Sequence, residues 1–88
     1  MVKWRLVFTP LAQKDAKKLA AAGLRPKAEK LLEILRKNPF QMQPPFEKLV
    51  GDLSGAYSRR INIQHRLVYK VIKETRTVKV IRMRTYYE

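Results

Sequence analysis

The chain reads as an α+β domain of two layers, a sheet covered on one face by a pair of helices. Three observations predict this. Apolar residues recur at helical spacing between residues 10 and 37, and strand-like alternation takes over from residue 56 onward. A further alternating stretch, VKWRLVF, precedes the helices. The expected order is an N-terminal strand, a two-helix hairpin and an antiparallel three-strand meander. A chain of 88 residues suggests one domain, 1–88. At this length roughly 60–65% of the unfolded surface is buried, which suffices without staples if the core packs well.

The first strand covers residues 2–8, around Trp4. Thr9 and Pro10 then signal a helix start, with a capping hydroxyl followed by a ring that pre-sets the first helical φ. Ala12, Ala16, Leu19 and Ala20 mark its apolar side, Lys14, Lys17 and Lys18 face outward, and Gly23 ends it. A second start falls at Pro26, with Ala28, Leu31, Leu32 and Leu35 forming a fuller stripe up to Lys37. So short a link implies a helical hairpin. Residues 38–55 hold three prolines and two glycines and read as a long irregular connection, a length often kept for function.

Three strand patterns follow. AYSRRINI alternates, HRLVYKVI is apolar on both faces and so central, and RTVKVIRM closes the sheet after a turn at residues 73–75. In the last strand Val78 and Val80 share one parity, Ile81 and Met83 the other, which fits a bulge near Val80 and Ile81. Trp4, Phe8 and Tyr69 read as core. The face away from the helices is expected to be open and to carry arginines. Arg59 and Arg60 differ in parity, so only one belongs there, the other curling around the sheet edge.

Charge is the strongest bulk signal: 20 Lys and Arg against 7 Asp and Glu, a formal +13. Such an excess favours polyanionic partners, nucleic acid first. A dedicated acidic protein partner is compatible with it. The absence of cysteine excludes disulfides and thiolate metal sites and suits a reducing compartment. No apolar run approaches the ~18 residues of a membrane span. The opening residues carry charges within their apolar stretch and lack a small-residue cleavage site, so no signal peptide is expected. A cytoplasmic protein without membrane attachment is the expectation.

One histidine and scattered carboxylates offer no metal-ligand spacing, and no glycine-rich phosphate loop is present. No metal or cofactor is therefore expected. Ser54 or Ser58 with His65 and Asp52 makes a triad only on paper, without a nucleophile elbow. What remains suits phosphodiester chemistry on RNA, which needs a base, cations for the phosphorane and an acid for the leaving oxygen. Glu47, between Phe46 and Leu49, is a candidate base in an apolar setting, against the plainer reading of a solvated residue paired with Lys48. Arg66, opening the central strand, is a candidate phosphate ligand or an edge charge. Tyr86 and Tyr87, at a chain end, anchor by packing or stack on bases. His65 is a candidate acid–base group, although a lone histidine more often hydrogen-bonds in place.

Residues 46–71, FEKLVGDLSGAYSRRINIQHRLVYKV, strongly resemble the YoeB/Txe branch of the RelE/ParE toxin superfamily. The run L-S-G-x-x-S-R-R-I-x-x-x-H-R-L-V-Y is specific to that branch, and a looser similarity covers the whole chain. The resemblance implies a microbial-ribonuclease-like (RelE-like) fold and a type II toxin acting as a metal-independent endoribonuclease that cuts mRNA in the ribosomal A site. Glu47 then looks like the general base, Arg66 like the phosphate-stabilising arginine, and Arg60 like a second basic position of the motif. His65 falls on a family histidine outside the acid's role. The family ends R-x-H-Y; here Tyr87 matches the tyrosine, whereas Tyr86 stands where the histidine, the general acid, belongs. A tyrosine near pKa 10 still carries a proton to give, so a slowed but working nuclease is implied.

The implied partners are an acidic antitoxin of the YefM/Axe kind, the ribosome and its mRNA, with a homodimer open for the free chain. Lys14, Lys17 and Lys18, with Arg25 and Lys27, would contact ribosomal RNA. Two rivals stand beside this. A gyrase-poisoning toxin of the ParE kind shares the fold but needs no Glu47–Arg66 pair. A non-catalytic RNA-binding module would be explained by charge alone.

Overall fold

The structure, a computed structural model, describes residues 3–41, 45–49, 55–62 and 65–85. It is α+β, as the patterning predicts. Strand β1 (Arg5–Phe8) leads into helices α1 (Pro10–Ala21) and α2 (Arg25–Lys37); β2 (Phe46–Lys48), β3 (Ala56–Arg60), β4 (His65–Ile72) and β5 (Thr77–Thr85) follow. They form one five-stranded sheet in the order β1-β5-β4-β3-β2, with β1 parallel to β5 and the other pairs antiparallel. The strand expected central, β4, is the middle one.

Local chemistry sets the helix ends. Thr9 is extended, its Oγ1 accepts from the Ala12 amide at 3.1 Å, and its hydroxyl donates to the Ile81 carbonyl at 2.7 Å. One residue thus caps α1 and ties it to β5. At the other end Leu24 N donates to Leu19 O and Gly23 N to Ala20 O, with Gly23 at φ 76°. This is a Schellman closure, and the left-handed position explains the glycine. The helix α2 begins at Arg25, one residue before the expected start.

The core lies between the helices and one sheet face. Leu19, Leu31 and Leu35 meet Leu67, Tyr69, Val78, Val80 and Met83 there, each buried leucine contributing about 1.5–3 kcal/mol. Trp4 and Phe8 are partly buried against this cluster. Ala20, expected on the apolar side of α1, is exposed. Ala12 and Leu19 are buried as expected, Ala16 is half-buried, and Asp15 is buried with them.

Asp15 has a structural reason to be inside. The β1–β5 ladder ends at Phe8 opposite Val80, and beyond it Asp15 Oδ2 accepts from the Met83 amide at 3.0 Å and from Arg82 Nε at 2.8 Å. A helix carboxylate therefore bonds β5 where its pairing with β1 has stopped. Burial alone would raise the Asp15 pKa, but the Arg82 hydrogen bond, the Met83 amide and the Arg82 and Lys18 charges outweigh it and hold the carboxyl below its ordinary value.

Two other strand expectations are corrected in extent. The first strand begins at Arg5, because the Trp4 amide donates to Arg36 O at the end of α2. β3 stops at Arg60, because the Ile61 and Asn62 amides both turn to His65 O. The expected bulge is present: Val68 faces Arg82 and Tyr69 faces Val80, leaving Ile81 as the extra residue.

Candidate active site

Strand alternation sorts the site. Leu67 and Tyr69 of β4 face the helices together with Tyr57 and Arg59 of β3, their register partners. On the opposite face Glu47 aligns with Ser58 and Ser58 with Val68, and Arg60 aligns with Arg66. Lys70 and Lys79, also paired, extend this face. The cations expected on an open sheet face are therefore there, in rows that run across the strands.

Residues 38–55 are not wholly irregular. β2 lies within them and pairs with β3 at Phe46–Arg59, Glu47–Ser58 and Lys48–Tyr57. Glu47 consequently stands on a sheet edge. The Glu47 carboxylate Oε2 lies 3.5 Å from Arg66 Nη1, which also approaches Ser58 Oγ at 3.5 Å. Ser58 is buried between them, and its small side chain leaves room for arginine and glutamate to meet above it. These residues line a cleft of 480 Å³ with Pro45, Arg60, Ile61 and Asn62.

The expected apolar surroundings of Glu47 are corrected. Its neighbour Phe46 points to the other face, packing edge-on against Tyr57 at 5.4 Å between centroids. The Glu47 side chain is 66% exposed and Arg66 only 18%. An ion pair so open contributes about 0–1 kcal/mol to stability. Stability therefore does not account for an acid and an arginine set side by side in a cleft. Chemically the pair offers an acceptor for a hydroxyl proton beside a guanidinium suited to a phosphoryl group.

Arg59 departs most from expectation. Rather than curling around the edge it is fully buried (0% exposed). Its Nε donates to the Tyr69 hydroxyl at 2.9 Å, and Nη2 donates to Pro39 O at 3.0 Å and Gln41 O at 2.6 Å. The guanidinium also lies 4.9 Å from the Phe46 ring centroid. Carbonyl dipoles and ring faces replace water around the charge. Burial pushes the Tyr69 pKa up, against the hydrogen bond and charge of Arg59.

The other predicted residues fall in different places. Arg60 is exposed and lines the cleft. His65 is half-buried at the hairpin end: its amide donates to Asn62 Oδ1 at 2.7 Å, and its Nδ1 lies 3.1 Å from the same oxygen. The Asn62 oxygen can only accept, so a hydrogen bond between the two is one donated by Nδ1–H. Lys14, Lys17 and Lys18 are exposed along α1, away from the cleft lining. Tyr86 and Tyr87 lie outside the described residues. Sequence reasoning missed Ser58 and Asn62 as cleft residues; parity was the available signal for Ser58, since it shares the phase of Arg60. Among the described residues no three or more His, Cys, Asp or Glu side chains gather to hold a metal, and no helix is long and apolar enough to cross a membrane.

Residues 8–87 match the family described as YoeB-like toxin of bacterial type II toxin-antitoxin system. The chain belongs to this family. The YoeB toxin of Synechocystis is 36% identical over 96% of this chain and 98% of its own. The match to the YoeB toxin of Streptomyces coelicolor, 49% identical over 41 residues, spans about half of that relative (49%). Among solved structures, a YoeB/ParE toxin from Agrobacterium tumefaciens superposes with a TM-score of 0.84 at 32% identity, covering 94% of this chain and 99% of that one. Staphylococcus aureus YoeB has been solved in complex with YefM (TM-score 0.78, 33% identity, 96% and 98% covered) and as a dimer (TM-score 0.72, 29% identity, the same coverage). The YoeB-type toxin assignment and the RelE-like fold therefore stand on the whole chain and not only on residues 46–71.

Proposed function

We propose that this YoeB-like toxin is a ribosome-dependent endoribonuclease that cuts mRNA in the A site and leaves a 2′,3′-cyclic phosphate. The observation that carries this reading is the Glu47–Arg66 contact in a cleft on the basic sheet face. Glu47 takes the proton of a ribose 2′-hydroxyl. That oxygen forms a bond to phosphorus while the bond from phosphorus to the 5′-oxygen breaks, and an acid returns a proton to the departing oxygen. Arg66, with Arg60 beside it in the sheet register, stabilises the extra negative charge of the phosphorane.

Tyr86 and Tyr87 are the proposed acid and its neighbour. The backbone supports this: β5 brings Arg84 opposite Arg66 and Thr85 opposite His65, so the chain reaches the row of Arg66 just before residue 86. The reaction needs no metal, since base, cation and acid are all side chains. The exposed lysines of α1 hold ribosomal RNA through counterion release. A YefM-type acidic antitoxin is the proposed partner, in keeping with the S. aureus relative and the +13 charge. A dimer like that of the same relative is proposed for the free toxin.

The chemistry is tested by treating mRNA on programmed ribosomes with the protein and identifying the upstream product end. A 2′,3′-cyclic phosphate supports the mechanism. A 3′-hydroxyl end counts against it.

A further inference from the structure

We propose that Arg59 is a positioning residue for this reaction: from beneath the sheet it clamps the segment leading into β2 and so fixes the reach from Glu47 to Arg66. The proposal rests on the ribonuclease reading, but its mechanical part stands on geometry alone.

Three contacts define the clamp. Nη2 binds the carbonyls of Pro39 and Gln41, where the chain leaves α2, and the Phe46 ring lies over the guanidinium at the start of β2. Both ends of the segment before Glu47 are thus held by one side chain. Tyr69 of β4 anchors that side chain through Nε. Arg59 follows Ser58, the residue beneath the Glu47–Arg66 contact, and its Cα pairs with Phe46 on one side and Leu67 on the other, the immediate neighbours of Glu47 and Arg66. The two faces of β3 therefore carry one device, the reactive pair above and the clamp below.

β2 itself has little else to hold it. β2 is three residues long and occupies the sheet edge, so β3 alone supplies its ladder. The helices pack chiefly over β1 and β5, and residues 39–41 extend the covering layer toward β3, with Pro39 fully buried and the Phe40 ring edge-on to Tyr57. An apolar side chain at 59 would fill the space, but it offers no donors to two carbonyls that face inward. A planar guanidinium does, and its fork sets their relative position. The expected consequence of removing it is a displaced Glu47, and a misplacement of 1 Å can cost about 10²-fold in rate.

The test compares wild type, Arg59→Lys, Arg59→Met and Tyr69→Phe as full chains on ribosomes carrying a defined A-site codon. Single-turnover cleavage is measured at saturating ribosomes, together with the half-saturating concentration and backbone amide hydrogen exchange. Arg59→Met should lower the saturating rate about 10²-fold while half-saturation stays within about 3-fold. Protection should fall at Leu49, whose amide pairs with Ala56 O, and persist along β4 and β5. Arg59→Lys should fall nearly as far, because it keeps the charge without the fork. Tyr69→Phe should slow cleavage less than about 10-fold, since the carbonyl contacts remain.

A saturating rate within about 3-fold of wild type in either arginine variant overturns the proposal, as does unchanged protection at Leu49. Loss of protection across β4 and β5 in both arginine variants makes Arg59 a residue of global stability and overturns it too. If wild type itself does not cleave, the ribonuclease reading fails; the exchange data then decide the clamp alone, local loss at Leu49 upholding it and its absence refuting it.

Discussion

Glu47 of β2 and Arg66 of β4 are not on adjacent strands, yet their side chains come within 3.5 Å above the buried Ser58 of β3. The long arginine crosses the intervening strand, and the small residue there leaves the passage open. An exposed glutamate and a largely buried arginine 3.5 Å apart gain little stability from each other. A phosphate entering the cleft would compete for the same guanidinium and leave the carboxylate free to accept a proton. On the proposed reading, this contact is the site at rest, before an anion arrives.

The Asp15–Arg82 pair predicts acid sensitivity. The Asp15 carboxyl titrates below its ordinary value in the folded chain, so its contribution is fully present above the unfolded pKa of about 3.9 and is lost as pH falls through the lower folded value. Urea unfolding between pH 7 and pH 2.5 should show this loss, and Asp15→Asn should flatten it. Asp15→Ala leaves the Met83 amide and Arg82 without this partner and should cost about 3 kcal/mol at pH 7. A melting temperature within a degree of wild type would show that the pair does not hold β5.

Gly23 predicts a purely conformational penalty. A Cβ there would meet nothing within 4 Å, but φ 76° is unfavourable for any side chain. Gly23→Ala should destabilise by roughly 1 kcal/mol, and Gly23→Asn by less, because asparagine tolerates the left-handed region. Thermal melts check this, with cleavage unchanged at temperatures where both variants are folded.

The exposed lysines of α1 predict a salt effect separate from catalysis. Ribosome binding by wild type should weaken steeply with salt. Replacing Lys14, Lys17 and Lys18 with glutamine should flatten the slope by about 0.7–0.9 for each phosphate that is no longer neutralised. A salt titration of both proteins measures it. Equal slopes would place the ribosome-binding surface elsewhere.

Tyr86→His predicts a gain. If residue 86 supplies the leaving-group proton, imidazolium should raise the single-turnover rate at neutral pH, within the ~10²–10⁴-fold range of general acid catalysis. An unchanged or lower rate would remove residue 86 from the acid's place.

The helices, their caps and the central strand were legible because each rests on local signals: Thr9 before Pro10, Gly23 after an apolar stripe, and the apolar run of β4. The bulge at Ile81 was legible as a slip of phase. β2 was not, since three residues among prolines carry no periodicity and β3 alone supplies their ladder. Arg59 was misread because parity shows which face a side chain takes and not what meets it. Its partners, carbonyls of residues 39 and 41, lie 20 and 18 positions away in sequence. Asp15 hid likewise, its partners 67 and 68 positions distant. The cleft pair was suggested by motif resemblance, while its geometry depended on the unforeseen edge strand.

The most direct measurement maps mRNA 3′ ends in a bacterial translation reaction supplied with wild type, Glu47→Gln or Arg66→Ala, with and without ribosomes. The account predicts cuts within A-site codons by wild type only when ribosomes are present. Both variants should be at least ~10²-fold slower while melting close to wild type. Cleavage by Glu47→Gln at the wild-type rate, or no cleavage by a folded wild-type protein that binds ribosomes, would contradict it.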